Sequence, residues 1–227
     1  MENRSGDLDY FVVMFKDVSE RRSTEDALKA AYAELEGLVV QRTTELRSAN
    51  DRLSTEAISD PLTGLYNRRY LADFVERELS RTRRGGTKIV FAMVDVDHFK
   101  RINDTFGHDA GDGVLRALSA FFRAQIRQED LAFRYGGEEF LLVMPCATFD
   151  GIPTRIEKIR QQLARLTIEH LHRPLPQITI SIGVAAFPDH GNSADEVISC
   201  PDAALYLAKE GGRDRVVYHS ERVPAGV

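Results

Sequence analysis

Two adjacent glutamates follow a pair of glycines in the segment RYGGEEF, residues 134–140. Gly136 and Gly137 fit the tip of a β-hairpin, because tight two-residue turns favour the backbone freedom of glycine. Glu138 and Glu139 then begin an outgoing strand on opposite faces, beside the apolar run FLLVMP. One carboxylate could complete a metal site while the other acts as a base or a second ligand. A simple hairpin turn explains the glycines but leaves the paired charges unexplained.

A second pair of carboxylates ends the run KIVFAMVDVD, residues 88–97. Asp95 and Asp97 lie two positions apart, so a strand places both on the same face at its exposed end. Because Mg²⁺ binds a few carboxylate oxygens and keeps phosphate oxygens among its remaining ligands, this end is a candidate nucleotide and metal site. For Asp97, N-capping of the following helix HFKRIND explains the residue equally well. Asp95 precedes the cap position and has no such explanation.

Asn103 and Asp112 bracket a glycine-containing turn in the segment NDTFGHDAGDGVL. Gly107 and Gly111 break the chain between two predicted helical pieces and let the backbone approach a ligand. An asparagine offers both a donor and an acceptor, and an aspartate accepts from two donors, so the pair could recognise the edge of a guanine. Asx turns that stabilise the loop are the alternative, and the spacing alone favours that alternative.

Strands and helices interleave from Ser59 onward, and these elements must position the polar residues. Hydrophobic periodicity predicts the short helix HFKRIND and longer helices near residues 68–81, 110–126, 154–166 and 193–212. Strands are predicted at residues 88–97, 131–135, 138–145, 177–187 and 215–219. Hairpins mixed with crossover helices predict an α/β sandwich with a mixed, largely antiparallel sheet flanked by helices.

A long helix with a different pattern precedes this region. Between residues 23 and 58, candidate core positions step by alternating fours and threes, as in a heptad seam: Leu28, Tyr32, Leu35, Val39, Arg42, Leu46, Ala49 and Leu53. An amphipathic helix packed on its own domain is the alternative, but polar residues on the remaining faces favour a coiled coil and hence a homodimer. Arg42 in the seam and Gly37 beside it weaken the helix locally, which suits an element that transmits a signal by changing its packing.

Length and composition limit the classes of protein that remain. The 227 residues correspond to one ordinary domain plus an appendage. Contents of 43% hydrophobic and 29% charged residues exclude a disordered or fibrous chain. A net charge of −5 lacks the basic excess of a nucleic-acid-binding protein. Since no apolar run approaches the roughly 20 residues of a membrane-spanning helix and no secretory signal pattern is present, we expect a cytoplasmic protein.

Five ordered motifs resemble those of the GGDEF-domain diguanylate cyclases, namely DPLTGLYNRRYL, DVDHFKRINDTFGHDAGDGVL, RYGGEEF, TISIGVA and DAALYLAKEGGRD. The resemblance spans about residues 59–219 and implies a fold related to nucleotidyl cyclases and polymerase palm domains. Residues 59–221 are therefore expected to form a cyclase domain, followed by a tail at 222–227. Residues 1–19, which lead into the sequence DVSERR, resemble the C-terminal end of a PAS sensor domain, and residues 20–58 would form the coiled-coil signalling helix.

The resemblance also implies roles for individual residues. Divalent ions, Mg²⁺ or Mn²⁺, would be bound by Asp95, the carbonyl of Val96 and Glu138, while Glu139 would help to deprotonate the attacking hydroxyl. The substrate-binding residues would be Phe99, Lys100, Lys209 and Arg213 for the triphosphate, Asn103 and Asp112 for guanine, and Gly136 and Gly137 in the turn. Product inhibition would use Arg127, Asp130 and Lys158. Relatives often have an arginine at the position of Lys158; the lysine keeps the positive charge but cannot form the bidentate contact of a guanidinium.

The implied reaction joins two GTP molecules into cyclic di-GMP with release of two pyrophosphates. Each protomer would hold one GTP, so catalysis requires two sites that face each other in a dimer. The alternative is a catalytically silent module that binds GTP or cyclic di-GMP and relays a signal, but such modules usually lack metal or signature residues, and none is lost here. Two positions depart from the family pattern: Pro201 stands where alanine is common, and Asp214 stands where asparagine is common. Neither departure removes a catalytic group.

Overall fold

The computed structural model describes residue 14, residues 19–146 and residues 149–220. The predicted PAS-like segment at 1–19 lies almost entirely outside the described residues, and the predicted tail at 222–227 lies wholly outside them. Within the described part of the chain, no helix combines the length and the hydrophobicity that crossing a membrane requires.

The first of two compact units spans residues 1–53. Most of its described residues belong to helix α1 (Ser19–Ile58). The apolar seam residues with described side chains are more than half exposed: Leu28, Tyr32, Leu35, Val39 and Leu46. The side chains of Ala49 and Leu53 lie outside the described residues. Arg42 donates from Nη1 to Glu45 Oε2 at 2.8 Å, so its charge is paired within the helix. The coiled coil itself requires a second chain and stays a prediction.

The second unit, residues 54–227, contains the elements that carry the candidate site. Its longer helices are α2 (Arg68–Gly85), α3 (Phe99–Phe106), α4 (His108–Gln125), α5 (Ile152–Leu163) and α6 (Ala194–Glu210). Its strands are β1 (Tyr66–Asn67), β2 (Lys88–Val96), β3 (Leu131–Gly136), β4 (Glu139–Cys146), β5 (Glu169–His170), β6 (Arg173–Pro174), β7 (Ile180–Phe187) and β8 (Val216–Tyr218).

Six of these strands form one sheet in the order β1-β3-β4-β2-β7-β8, and β5 pairs with β6. β2 pairs antiparallel with β4 and β7, and β3 pairs antiparallel with β4, whereas the edge strands β1 and β8 pair parallel. The predicted mixed, mostly antiparallel sheet flanked by helices is therefore confirmed. Strand β1 and the β5–β6 hairpin are not among the predicted elements, because two-residue strands are too short to show an alternating pattern.

Strand β2 forms the centre of the sheet and is buried on both faces. Val90 and Val94 belong to the core formed with α3, α4 and α5. Ile89 and Met93 belong to the core formed with α2 and α6. Coverage of both faces explains why this strand is a continuous apolar run instead of an alternating one. The polar residue Asp95 therefore stands near the end of a strand that is buried on both faces.

Candidate active site

Asp95 lies at the end of the central strand, between two neighbouring strands. It is paired with Glu139 of β4 and Ser181 of β7 in the register of the sheet, and it is only 6% exposed. Lys209 of α6 contacts it, with Nζ 2.7 Å from Asp95 Oδ2. Burial raises the pKa of Asp95 to about 6, Lys209 opposes this rise, and the charges of Glu138 and Glu139 add to it. The strand end thus combines three interacting carboxylates with one ammonium group.

The hairpin between β3 and β4 brings the two glutamates to this strand end. The amide of Val96 donates to the carbonyl of Glu138 at 3.4 Å. The two turn residues are Gly137 and Glu138, whereas Gly136 ends β3 and pairs with Glu139, so the prediction that both glycines form the tip and that both glutamates begin the outgoing strand is wrong by one residue. Gly137 has a φ of 50°, which glycine adopts without strain. The pairing also shifts register between Arg134 and Gly136. Such irregularities redirect side chains and are frequent beside active sites.

Arg134 holds this hairpin, a role that the sequence-based assignment misses. Its Nε and Nη2 donate to the carbonyl of Gly137 at 3.1 and 2.9 Å, and its Nη1 donates to both carboxylate oxygens of Asp60 at 3.1 Å. Burial by itself raises the pKa of Asp60, but hydrogen bonds from Thr63 and Arg134 and the charge of Arg134 outweigh it, so the pKa is lowered. Both residues lie in the motifs DPLTGLYNRRYL and RYGGEEF, but they are 74 positions apart, so their spacing does not predict the pair.

The oxygen donors at the strand end suit a hard divalent cation. The predicted donors are the carboxylates of Asp95 and Glu138 and the carbonyl of Val96. Among the residues that the structure describes, no three or more His, Cys, Asp or Glu side chains form a ready-made metal cluster. Mg²⁺ does not require one, because it is usually bound through one or two carboxylates and keeps water or phosphate oxygens as its other ligands. The donor set therefore fits Mg²⁺ or Mn²⁺ and not a nitrogen- and sulfur-bound metal.

Asn103 and Asp112 lie on helices α3 and α4, which pack against each other. Asn103 Oδ1 is buried and accepts no hydrogen bond from the described residues. An Asx turn would require this oxygen to accept a backbone hydrogen bond, so the loop-stabilising alternative fails for Asn103. A Cβ atom at Gly111 would lie 1.9 Å from Asn103 Oδ1, so the glycine provides the space that the amide occupies. Asp112 is half-buried, with Oδ2 3.9 Å from Arg116 Nη2.

The N-capping explanation of Asp97 is wrong. The cap residue of α3 is His98, which has a φ of 58° and makes no capping hydrogen bond through its side chain. Asp97 is 4% exposed, and its carboxylate accepts hydrogen bonds from Thr179 Oγ1 at 2.8 Å, Ser181 Oγ at 2.7 Å and the amide of Asp214 at 3.0 Å. Asp97 therefore joins the central strand to its neighbour and to the segment after α6.

The predicted phosphate-binding cations come from three different segments. Lys100 is exposed in the first turn of α3, directly after the buried Phe99. Lys209 belongs to the last turn of α6, and Arg213 is exposed in the turn that follows. Of the three cations, Lys209 is the one that the structure brings to Asp95. Lys100 and Arg213 present their charges to solvent.

Arg127 and Asp130 form a compact turn but differ in exposure. Arg127 is exposed, with Nη1 3.8 Å from Glu129 Oε1. Asp130 is buried, and its Oδ2 accepts from the amide of Arg127 at 2.7 Å and from the guanidinium of Arg155, while its Oδ1 has no hydrogen-bond partner among the described residues. Lys158 is exposed on α5, about one turn after Arg155. The sequence-based assignment misses Arg155, although its position three residues before Lys158 is a usable signal.

Comparison with known proteins identifies the family of this chain. The family model of the diguanylate cyclase GGDEF domain matches residues 57–215. Diguanylate cyclase DgcP from Pseudomonas aeruginosa is 43% identical over 162 residues, which cover 71% of this chain and 24% of DgcP. Response regulator PleD from Caulobacter vibrioides is 38% identical over 176 residues, which cover 77% of this chain and 39% of PleD. The chain thus spans well under half the length of these two relatives.

A solved structure has the same fold. The coiled coil and GGDEF domain of DgcB from Caulobacter crescentus, crystallised in complex with c-di-GMP, superposes with a TM-score of 0.73 and 34% sequence identity. The match covers 86% of this chain and 99% of that one. The family model begins at residue 57 and does not include the PAS-like and helical segments before it. From residue 57 to residue 215, the chain therefore belongs to the diguanylate cyclase GGDEF domain family.

Proposed function

We propose that the chain condenses two GTP molecules into cyclic di-GMP and two pyrophosphates, and that it acts as a homodimer subject to product inhibition. The observation that carries this proposal is the buried Asp95, which interacts with the charges of Glu138 and Glu139 and pairs with Lys209. Folding alone does not favour three carboxylates at one strand end, because like charges repel and burial disfavours charge. Phosphoryl and nucleotidyl transfer requires such oxygen ligands together with a cation. The name of DgcP and the c-di-GMP complex of DgcB support the same reaction.

The guanine base is recognised by Asn103 and Asp112. The buried Asn103 Oδ1 lacks a hydrogen-bond partner among the described residues, and a donor on guanine would satisfy it. The half-buried Asp112 carboxylate can accept from two guanine N–H groups. A base that lacks these donors leaves the buried oxygen unpaired, so the site selects GTP over ATP.

The triphosphate is held by Lys100, Lys209 and Arg213, together with the main chain at Phe99. The ammonium group of Lys209 carries three N–H donors, of which the ion pair with Asp95 Oδ2 uses one. The other two remain for phosphate oxygens. Gly136 and Gly137 have open space around them, since a Cβ atom built at either would meet nothing within 4 Å. A nucleotide can therefore approach the backbone of the turn.

The divalent ions, Mg²⁺ or Mn²⁺, are bound by Asp95, the carbonyl of Val96 and Glu138. When bound, the ions polarise the α-phosphate and lower the pKa of the attacking 3′-hydroxyl. Glu139 is paired with Asp95 in the register of the sheet and accepts the proton of that hydroxyl. The hydrogen bonds from Arg134 to the carbonyl of Gly137 keep the hairpin, and hence both glutamates, in position.

The reaction needs two copies of the chain, because each site holds one GTP and each 3′-hydroxyl attacks the α-phosphate of the other nucleotide. Helix α1 supplies the contact between the copies. Its exposed apolar residues, from Leu28 to Leu46, would stay in water on a single helix, whereas pairing with a second helix buries them. In this arrangement residues 20–58 connect the PAS-like segment at 1–19 to the cyclase domain at 59–221 and control how the two sites meet.

Cyclic di-GMP inhibits the enzyme by binding at Arg127, Asp130 and Lys158. Two exposed cations, Arg127 and Lys158, suit the phosphates of the product. The buried Asp130 Oδ1 has no hydrogen-bond partner among the described residues and can accept from a guanine N–H group. This turn is separate from the strand end at Asp95, so inhibition is allosteric. It requires that the product binds the inactive arrangement of the two sites more tightly than the active one.

Incubation of the purified chain with GTP and Mg²⁺, followed by separation of the nucleotides, tests the proposal. We expect cyclic di-GMP from the wild type and none from Glu138→Gln, which removes a metal-binding charge from a turn and no volume from the core. Glu76→Gln, at an exposed position of α2, is the matched control and should retain activity. Unchanged GTP with the wild type would contradict the proposed reaction, and near-normal output from Glu138→Gln would contradict the metal assignment.

A further inference from the structure

The turn after helix α6 has an unfavourable backbone conformation. Arg213 and Asp214 have φ values of 61° and 46°, and both lie in the left-handed region although neither is glycine. Residues with a Cβ atom rarely adopt this region, and such conformations persist only where the surrounding structure holds them. Two such residues in succession therefore require strong external contacts.

The first of these contacts comes from the central strand. The buried carboxylate of Asp97 accepts the amide hydrogen of Asp214 at 3.0 Å. The same carboxylate is fixed by hydrogen bonds from Thr179 and Ser181. Asp97 therefore anchors the turn on one side to the chain directly after the buried central strand.

The second contact comes from helix α5. Arg160 donates from Nη1 to the carbonyl of Asp214 at 3.0 Å and also to its carboxylate. Glu157 orients the same guanidinium by accepting from Nε at 3.0 Å and from Nη2 at 2.6 Å. The Arg160 side chain is only 16% exposed, so its guanidinium is largely shielded from water between two partly exposed carboxylates.

Arg213 is free to contact a ligand while its backbone is held. Its amide donates to the carbonyl of Ala208 at 3.1 Å, and its carbonyl accepts from Arg215 Nε at 3.0 Å. Among the described residues, the exposed guanidinium of Arg213 makes no ion pair. The contacts from Asp97 and Arg160 thus fix the path of the chain and leave the charge of Arg213 available.

We infer that Arg160, oriented by Glu157, is a positioning residue that holds the Arg213–Asp214 turn in the conformation that binds the triphosphate of GTP. The inference rests on the proposed function, because that function makes Arg213 a phosphate contact. Holding the turn in advance lowers the entropy cost of ordering it when the nucleotide binds. Arg160 acts on the nucleotide through Asp214 and does not touch it.

The experiment compares two nucleotides that differ at the β- and γ-phosphates. Calorimetry measures binding of guanosine 5′-(α,β-methylene)triphosphate, which cannot react at its α–β bridge, and of GMP. We expect Arg160→Gln to weaken binding of the triphosphate analogue about tenfold. This is less than the roughly hundredfold loss of rate that a displacement of reacting groups can cause. Binding of GMP should be unchanged, and the KM for GTP should rise more than kcat falls.

Three further variants separate positioning from general stability. Arg160→Lys should recover part of the affinity, because it restores the charge without the fork. Asp214→Asn should lose less affinity for the triphosphate analogue than Arg160→Gln does, because asparagine tolerates the left-handed conformation and still accepts a hydrogen bond. Arg165→Gln, an exposed arginine after the end of α5, is the matched control and should bind both nucleotides like the wild type.

The outcomes distinguish this inference from the proposed function. If the wild type does not bind the methylene analogue, the proposed function fails and the inference fails with it. If the wild type binds it and Arg160→Gln binds it equally well, the inference alone is overturned. A parallel loss of affinity for the analogue and for GMP, with a lower melting temperature, would also overturn it, because Arg160 would then serve only the stability of the fold.

Discussion

Adding one methyl group at Gly111 tests the proposed guanine site. Gly111 is buried in helix α4, and a Cβ atom there would lie 1.9 Å from Asn103 Oδ1 and 3.1 Å from Phe99 Cζ. A separation of 1.9 Å is far inside the contact distance of non-bonded atoms, so the Asn103 amide must rotate away or α3 must shift. The substitution Gly111→Ala therefore disrupts the proposed contact of Asn103 with guanine without removing any charged group.

The size of the effect follows from the hydrogen bonds that are lost. Losing the contact between Asn103 and guanine should cost about 1.5 kcal/mol of binding, or roughly a tenfold rise in the KM for GTP. Discrimination between GTP and ATP should fall by a similar factor. Overpacking destabilises a fold by about 1–3 kcal/mol, but replacing a glycine inside a helix with alanine stabilises it by about 1 kcal/mol. We expect a folded enzyme with a selectively impaired base site.

Steady-state synthesis from GTP, with ATP as a competitor, measures both quantities. Gly113→Ala is the matched control, because it lies on the same helix and a Cβ atom there would meet nothing within 4 Å. This control should be slightly more stable than the wild type and should keep its KM for GTP. An unchanged KM and unchanged discrimination in a folded Gly111→Ala variant would refute the role given to Asn103. Equal defects in both variants would refute it as well, since the space beside Asn103 would then be irrelevant.

A chain cut just before Ser59 should lose most of its activity at dilute protein and partly regain it at high concentration, because the helix no longer keeps two sites at a high effective concentration; full specific activity of a monomer at nanomolar protein would contradict this role. Arg127→Ala should extend the linear phase of product accumulation and abolish slowing by added cyclic di-GMP, and Lys158→Arg should strengthen that slowing. Equal inhibition of the wild type and Arg127→Ala would show that the turn is not the inhibitory site. The pKa of Asp60 is lowered in the folded chain, so the stability it contributes is present above its unfolded pKa and is lost as the pH falls through the folded value. Between about pH 5 and pH 3, the denaturant midpoint of the wild type should therefore fall more steeply than that of Asp60→Asn, and parallel curves would contradict a stabilising pair with Arg134.

The local part of the site can be predicted from the sequence because its signals act over a few residues. A continuous apolar run that ends at Asp95 predicts a buried strand with a polar end, and the structure contains that strand as β2. Two glycines before Glu138 and Glu139 predict a hairpin, and the pairing of β3 with β4 confirms it. Strand and helix periodicity and turn propensity depend on neighbouring residues and can be evaluated without knowledge of the fold.

The same local rules fail where a side chain has several possible partners. Asp97 precedes a helix and therefore suggests an N-cap. Its carboxylate instead accepts hydrogen bonds from the hydroxyl group of Thr179, directly before strand β7, and from that of Ser181 within β7. The difference is set by the antiparallel pairing of β2 with β7, which places Ser181 opposite Asp95 and Thr179 next to Asp97. A register shifted by one residue would turn these side chains to the other face of the sheet.

The sequence by itself determined which residues are candidates for the chemistry, and the tertiary structure decided which of them meet. Arg134 and Asp60 are 74 positions apart, and Arg160 and Asp214 are 54 apart, so no local spacing relates the members of either pair. Strand order and helix packing bring them together, and these depend on burial of the whole core and not on any one segment. For that reason the carboxylate at the strand end, Asp95, could be named in advance, whereas the contacts that hold the hairpin and the turn around it follow only from the folded chain.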